Sequence, residues 1–109
     1  MNDKELLELA AKAAGIDWFD DPAAKHGCGL HMKSGPFWNP LTDDGDALRL
    51  AVKLHINIEI WNVDNLVRTC FYIKDRGHGS FGEPYTIRPY AATRRAIVRA
   101  AAEIGKEKK

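Results

Sequence analysis

Residues 55–74 read His55-Ile56-Asn57-Ile58-Glu59-Ile60-Trp61-Asn62-Val63-Asp64-Asn65-Leu66-Val67-Arg68-Thr69-Cys70-Phe71-Tyr72-Ile73-Lys74. This stretch decides the fold class. From His55 to Trp61 apolar and polar residues alternate, so Ile56, Ile58 and Ile60 share one face of a strand. Asn62 to Asn65 has the composition of a turn. Leu66 to Lys74 is rich in β-branched and aromatic residues and reads as a second strand. Two strands joined by so short a turn form an antiparallel hairpin.

Helices flank this hairpin in the sequence. Residues 3–14, DKELLELAAKAA, repeat apolar residues at helical spacing through Leu6, Leu9, Ala10 and Ala13. Asn2 or Asp3 can cap the start and Gly15 can close the end. Residues 43–54, DDGDALRLAVKL, read as a second helix capped by Thr42. Its apolar stripe is Ala47, Leu48, Ala51, Val52 and Leu54. Pro89 precedes a third helix from about Tyr90 to Ile104, with Ile97, Val98, Ala101 and Ile104 on its buried side and Gly105 ending it. A Gly-rich loop, Asp75 to Glu83, precedes a short edge strand at 84–88. Residues 17–42 hold Pro22, Gly27, Gly29, Gly35, Pro36 and Pro40, so they read as a long irregular loop that carries Trp18, Phe19, Phe37 and Trp38. The expected fold is α+β: three helices around a small, mostly antiparallel sheet, as a three-layer α/β/α sandwich. One domain spans 1–105, and 106–109 is a polar basic tail.

Composition excludes several classes. The chain has 109 residues, 45% hydrophobic and 28% charged, which suits one globular domain rather than a disordered segment. No apolar run approaches the roughly 18 residues of a membrane span. Cys28 and Cys70 are too few for a disulfide scaffold, so a cytoplasmic location is expected. Residues 1–54 carry nine acids and six bases, and residues 55–109 carry six acids and ten bases, giving −3 and +4 and a net charge of +1. The late bases suggest an anion-binding face around Arg88, Arg94, Arg95 and Arg99. A near-neutral total ranks nucleic acid below a small anionic ligand or an acidic partner.

Trp38-Asn39-Pro40-Leu41-Thr42-Asp43-Asp44-Gly45-Asp46-Ala47-Leu48-Arg49-Leu50-Ala51-Val52-Lys53-Leu54 and Tyr90-Ala91-Ala92-Thr93-Arg94-Arg95-Ala96-Ile97-Val98-Arg99-Ala100-Ala101-Ala102-Glu103-Ile104-Gly105 stand out beyond periodicity. Together with the N-terminal ELLELAAKAAGI they resemble the phage ABA sandwich domain family of small bacteriophage and prophage proteins. The resemblance implies a three-layer sandwich of phage or prophage origin, acting in a host bacterial cell. It implies no catalytic residues. Residues 85–88, Tyr-Thr-Ile-Arg, depart from its pattern.

Candidate chemistry is sparse. His26, Cys28 and His31 are ligand types that zinc prefers, with Cys70 or His78 as distant complements. No second pair completes a tetrahedron, so no metal is expected. Arg76-Gly77-His78-Gly79-Ser80 can bring backbone N–H groups to a phosphate, but it lacks a P-loop lysine and an immediate helix. Ser34, Ser80, Cys28 and Cys70 have no elbow or triad motif around them. No cofactor and no enzymatic activity are expected. Two binding readings compete. The first is a protein-interaction module for a host protein, such as a defence component, using the loop aromatics Trp18, Phe19, Phe37 and Trp38, with Trp18 and Trp38 as the leading contacts. The second is a binder of a nucleotide-like anion, using Arg76, His78, Arg88, Arg94, Arg95 and Arg99. A homo-oligomer would use the edge strand at 84–88.

Overall fold

The structure is a computed structural model, and it describes residues 2–19, 29–61, 65–74, 76–84 and 88–108. The element order is α1 (Asp3–Ala14), β1 (Leu30–His31), β2 (Phe37–Trp38), α2 (Asp44–Leu54), β3 (Asn57–Trp61), β4 (Leu66–Ile73), β5 (Gly77–Pro84) and α3 (Pro89–Lys106). The α+β class holds: three helices accompany a two-stranded and a three-stranded antiparallel sheet.

Local chemistry explains each boundary. Asn2 Oδ1 accepts from the Glu5 amide at 2.8 Å, and Gly15 closes α1 in the left-handed region at φ 72°. Asp43, not Thr42, caps α2, its carboxylate accepting from the Asp46 amide at 2.8 Å. Asp46 in turn accepts from the Asn39 amide at 2.9 Å, fastening the preceding loop to the helix. His55 ends α2 in the left-handed region at φ 56°, a conformation uncommon outside glycine, and the chain passes directly into β3.

β3, β4 and β5 form an antiparallel meander, with Thr69 opposite both Ile58 and Phe81. One face of this sheet carries Val67, Thr69 and Phe71, all buried, and it packs on α3. The Thr69 hydroxyl donates to the Ala96 carbonyl at 2.9 Å, a buried link from strand to helix. The three expected layers are present, but their order puts α3 rather than the sheet in the middle, with α1 and α2 packed on it. Buried Ala96, Ile97, Val98, Ala100, Ala101, Ala102 and Gly105 surround most of the helix, as a centrally placed helix requires.

Several expectations change. Gly105 does not end α3. It lies inside the helix and is buried, and a Cβ there would overlap the Leu9 carbonyl oxygen of α1. It is a packing glycine. The stretch read as a Gly-rich loop is strand β5, and its glycines make room. A Cβ on Gly79 would sit 2.6 Å from Cζ of Phe71, the residue opposite it in the ladder. The third strand therefore precedes the 84–88 segment, of which 85–87 lie outside the described residues. On α2 the buried residues are Ala47, Leu50 and Ala51, whereas Leu48 and Val52 face solvent. The long loop contains a hairpin. β1 pairs with β2, and Trp18 bridges to Met32 on the other side.

Alanine is favoured over glycine in a helix by about 1 kcal/mol. At position 105 the overlap outweighs this, and Gly105→Ala is expected to destabilise the fold by about 1–3 kcal/mol. Urea unfolding measures it; a midpoint equal to or above wild type would show that α1 and α3 separate at little cost.

Candidate functional site

Of the arginines expected to receive an anion, Arg76, Arg94, Arg95 and Arg99 are engaged in the fold. Arg94 donates from Nη1 to Asp44 Oδ1 at 2.6 Å and from Nε to the Leu41 carbonyl at 2.8 Å. Arg95 reaches Asp3 of α1 at 3.1 Å. Arg99 pairs with Glu83 of β5, and its guanidinium lies 4.4 Å from the Phe81 ring centroid. Arg76 pairs with Glu107, just past α3, at 2.5 Å. Each pair joins α3 or its C-terminal edge to a different element, so the positive charge is distributed and locally neutralised. Arg88, at the N-cap of α3, is exposed and makes no ion pair among the described residues.

The Gly-rich segment is not a phosphate cradle, because β5 is extended and laddered along β4. His78 projects from its outer side, with its ring 5.2 Å from that of Tyr72. Among the described residues no three His, Cys, Asp or Glu side chains gather as a metal site. His26 and Cys28 lie outside the described residues. No histidine is hydrogen-bonded to Ser34, Ser80 or Cys70 among the described residues. The Cys70 thiol instead donates to Glu59 Oε1 at 3.7 Å. Partial burial pushes this thiol above its usual range, and the Glu59 carboxylate adds to the shift while Arg68 opposes it.

The two tryptophans serve the core. Trp38 is 5% exposed, and Trp18 is half-buried against the same cluster. The phenylalanines beside them do the opposite. Strand alternation turns Trp38 inward and Phe37 outward. Phe19, His31 and Phe37 then line up across three neighbouring segments. The Phe19 and His31 ring centroids are 5.0 Å apart in an edge contact, and those of His31 and Phe37 are 4.8 Å apart and stacked. Phe19 is 46% and Phe37 55% exposed. Next to this row lies a groove of about 470 Å³, lined by Ile16, Met32, Phe37, Trp38, Leu50 and Lys53 among others. Its volume falls within the range of ligand-binding clefts. Sequence reasoning names Phe19 and Phe37 as loop aromatics but does not find the row. The signal is the out–in step Phe37-Trp38, too short to read as a strand from pattern alone.

The open face of the β3–β5 sheet carries further polar and aromatic groups. Arg68 lies 5.5 Å from the Trp61 ring centroid and 3.9 Å from Glu59, and Tyr72 is 59% exposed.

Two measurements check these assignments. Arg94→Ala is expected to cost about 1–2 kcal/mol of unfolding free energy, because its well-shielded side chain makes two hydrogen bonds. Arg95→Ala, whose ion pair is exposed, should cost less than about 1 kcal/mol. Glu59→Gln removes one of the causes that raise the Cys70 thiol, so thiolate forms at lower pH. Alkylation at Cys70, followed by peptide mass mapping at fixed pH near neutrality, is expected to speed up.

No family model, curated protein or solved structure matches this chain.

Proposed function

We propose that the chain acts by binding another protein, through the Phe19–His31–Phe37 row and the groove beside it. The observation that carries this reading is the row itself: two large apolar rings held in contact with a histidine and turned to solvent, on a sheet whose other side is anchored by buried Leu30 and Trp38. Clustered exposed aromatics at the rim of an apolar cleft are the usual anchors of protein interfaces. A rigid backing lowers the entropy lost when a partner docks.

The ABA sandwich resemblance supports a more specific form of this reading, a non-enzymatic phage or prophage accessory protein whose partner is a host protein. The binder of a nucleotide-like anion ranks second. Arg94, Arg95 and Arg99 would have to give up carboxylates to receive such a ligand. Arg88 is the cation best placed to serve it. Among the described residues no helix is long and apolar enough to cross a membrane.

The test compares wild type with a Phe19→Ser, Phe37→Ser double variant, both positions being exposed enough to leave the fold intact. Wild type is expected to capture a defined protein from bacterial lysate. With that protein purified, the variant should bind at least about tenfold more weakly, a loss of roughly 1.4 kcal/mol. Equal affinity would overturn the assignment of the surface. A melting temperature raised by phosphate or a nucleotide, and returned to baseline by Arg88→Ala, would establish the anion reading in its place.

A further inference from the structure

The groove beside the aromatic row has two unlike walls. Ile16 and the β1–β2 hairpin supply an apolar wall through Ile16, Met32, Pro36 and Phe37. The other wall is α2. Asp46, Arg49, Leu50 and Lys53 recur there at the spacing of one helical face, with Asp43 at the N-cap. Trp38 and Leu50, both buried, close the groove toward the core.

Charge along the α2 wall changes sign from one end to the other. At the N-terminal end two carboxylates share one guanidinium, with Arg49 at 2.7 Å from Asp46 and 3.8 Å from Asp43. The Asp46 side chain is 14% exposed and also accepts from the Asn39 amide, whereas that of Asp43 is 59% exposed. One negative charge is therefore in excess there, and Asp43 presents it. At the C-terminal end stands Lys53, exposed and in no ion pair among the described residues. The rise of the helix sets Asp43 and Lys53 about 15 Å apart along its axis.

We propose that the groove receives an amphipathic helix of a partner protein, lying antiparallel to α2, with an acidic residue of its first turn beside Lys53 and a basic residue of its last turn beside Asp43. This rests on the protein-binding reading above and names the form of the partner's docking segment. A helix of three turns is about 16 Å long, which matches the separation of the two charges. Apolar side chains at i, i+3, i+4 and i+7 would enter between α2 and the hairpin. The direction follows from the charges. Acids favour the first turn of a helix and bases the last, because they complement the peptide dipole. Only the antiparallel arrangement brings them opposite Lys53 and Asp43; the parallel one sets like charges together. It also opposes the dipoles of the two helices.

A displayed random library of peptides about 14 residues long, roughly four helical turns, tests the proposal on the intact chain. Selected peptides are expected to share apolar residues at helical spacing, with an acid before them and a base after them. In fluorescence anisotropy, Lys53→Glu should weaken the best peptide about three- to tenfold with an unchanged circular dichroism spectrum. Replacing that peptide's first-turn acid by lysine should restore affinity for Lys53→Glu and lower it for wild type. A nitroxide on the peptide's N-terminus should broaden the amide resonances around Lys53 and spare those around Asp43. No binder, binders with the two-residue alternation of a strand, an affinity indifferent to Lys53→Glu, or broadening centred on Asp43 overturns the proposal. The aromatic-row reading is judged separately, by the response of the lysate partner to Phe19→Ser, Phe37→Ser.

Discussion

The closeness of α3 to its neighbours governs this structure. A helix in the middle of a small protein must find room on several sides at once, and alanine and glycine provide it. At Gly105 the α3 backbone comes within contact of the Leu9 carbonyl of α1, leaving no space for a methyl group. On the other side the buried Thr69 hydroxyl reaches the Ala96 carbonyl. Small side chains bury little apolar area each, so the stability of such a core rests on dense packing rather than on bulky residues. The larger apolar groups, Leu6, Leu7, Ile97 and Phe71, fill the margins of these contacts.

Charge follows the same plan. Arginine at 94, 95 and 99 leaves the exposed strip of α3 and meets a carboxylate on α2, α1 and β5 in turn. Long side chains with charged ends reach across the small-residue contacts that cannot themselves supply much area. A cluster that looks in the sequence like a site for an external anion is, in space, three separate clasps. What remains for recognition is aromatic: the Phe19–His31–Phe37 row beside the β1–β2 hairpin.

Regular elements with strong periodicity were legible from sequence. α1 begins and ends at the residues its caps indicate, and the alternation of residues 56–60 holds for Ile56, which is buried, and Ile58, which is half-buried, but fails at Ile60, which is 66% exposed near the end of the strand. The misreadings have a common cause. Glycine at 79 and 105 reads locally as a breaker, since in isolation glycine favours turns and helix ends. In the fold both positions are regular, and the missing side chain is required by a neighbour distant in the sequence, which no local pattern encodes. The hairpin at 30–38 escaped because strands of two residues carry too little alternation to stand out. On α2, Leu48 belongs to a plausible helical stripe, and only the position of α3 decides that Leu50 is buried in its stead. At the candidate site all four loop aromatics are legible from the sequence, but residue type favours Trp18 and Trp38, and only the fold shows that Trp38 is buried while Phe19 and Phe37 are exposed.

The pairing of α1 with α3 also orders events in time. The two helices run in the same direction, with Asp3 beside Arg95, Leu9 beside Gly105 and Ala13 beside Lys108. The Asp3–Arg95 contact closes across 92 residues of chain. During synthesis α1 is complete long before α3 exists to cover it, and a helix of 12 residues is barely stable by itself. Its apolar side, Leu6, Leu7, Ala10 and Ala14, therefore waits in the open until nearly the whole domain has left the ribosome. Such long-range closure slows folding and leaves an interval in which that side is available to chaperones or to another nascent chain.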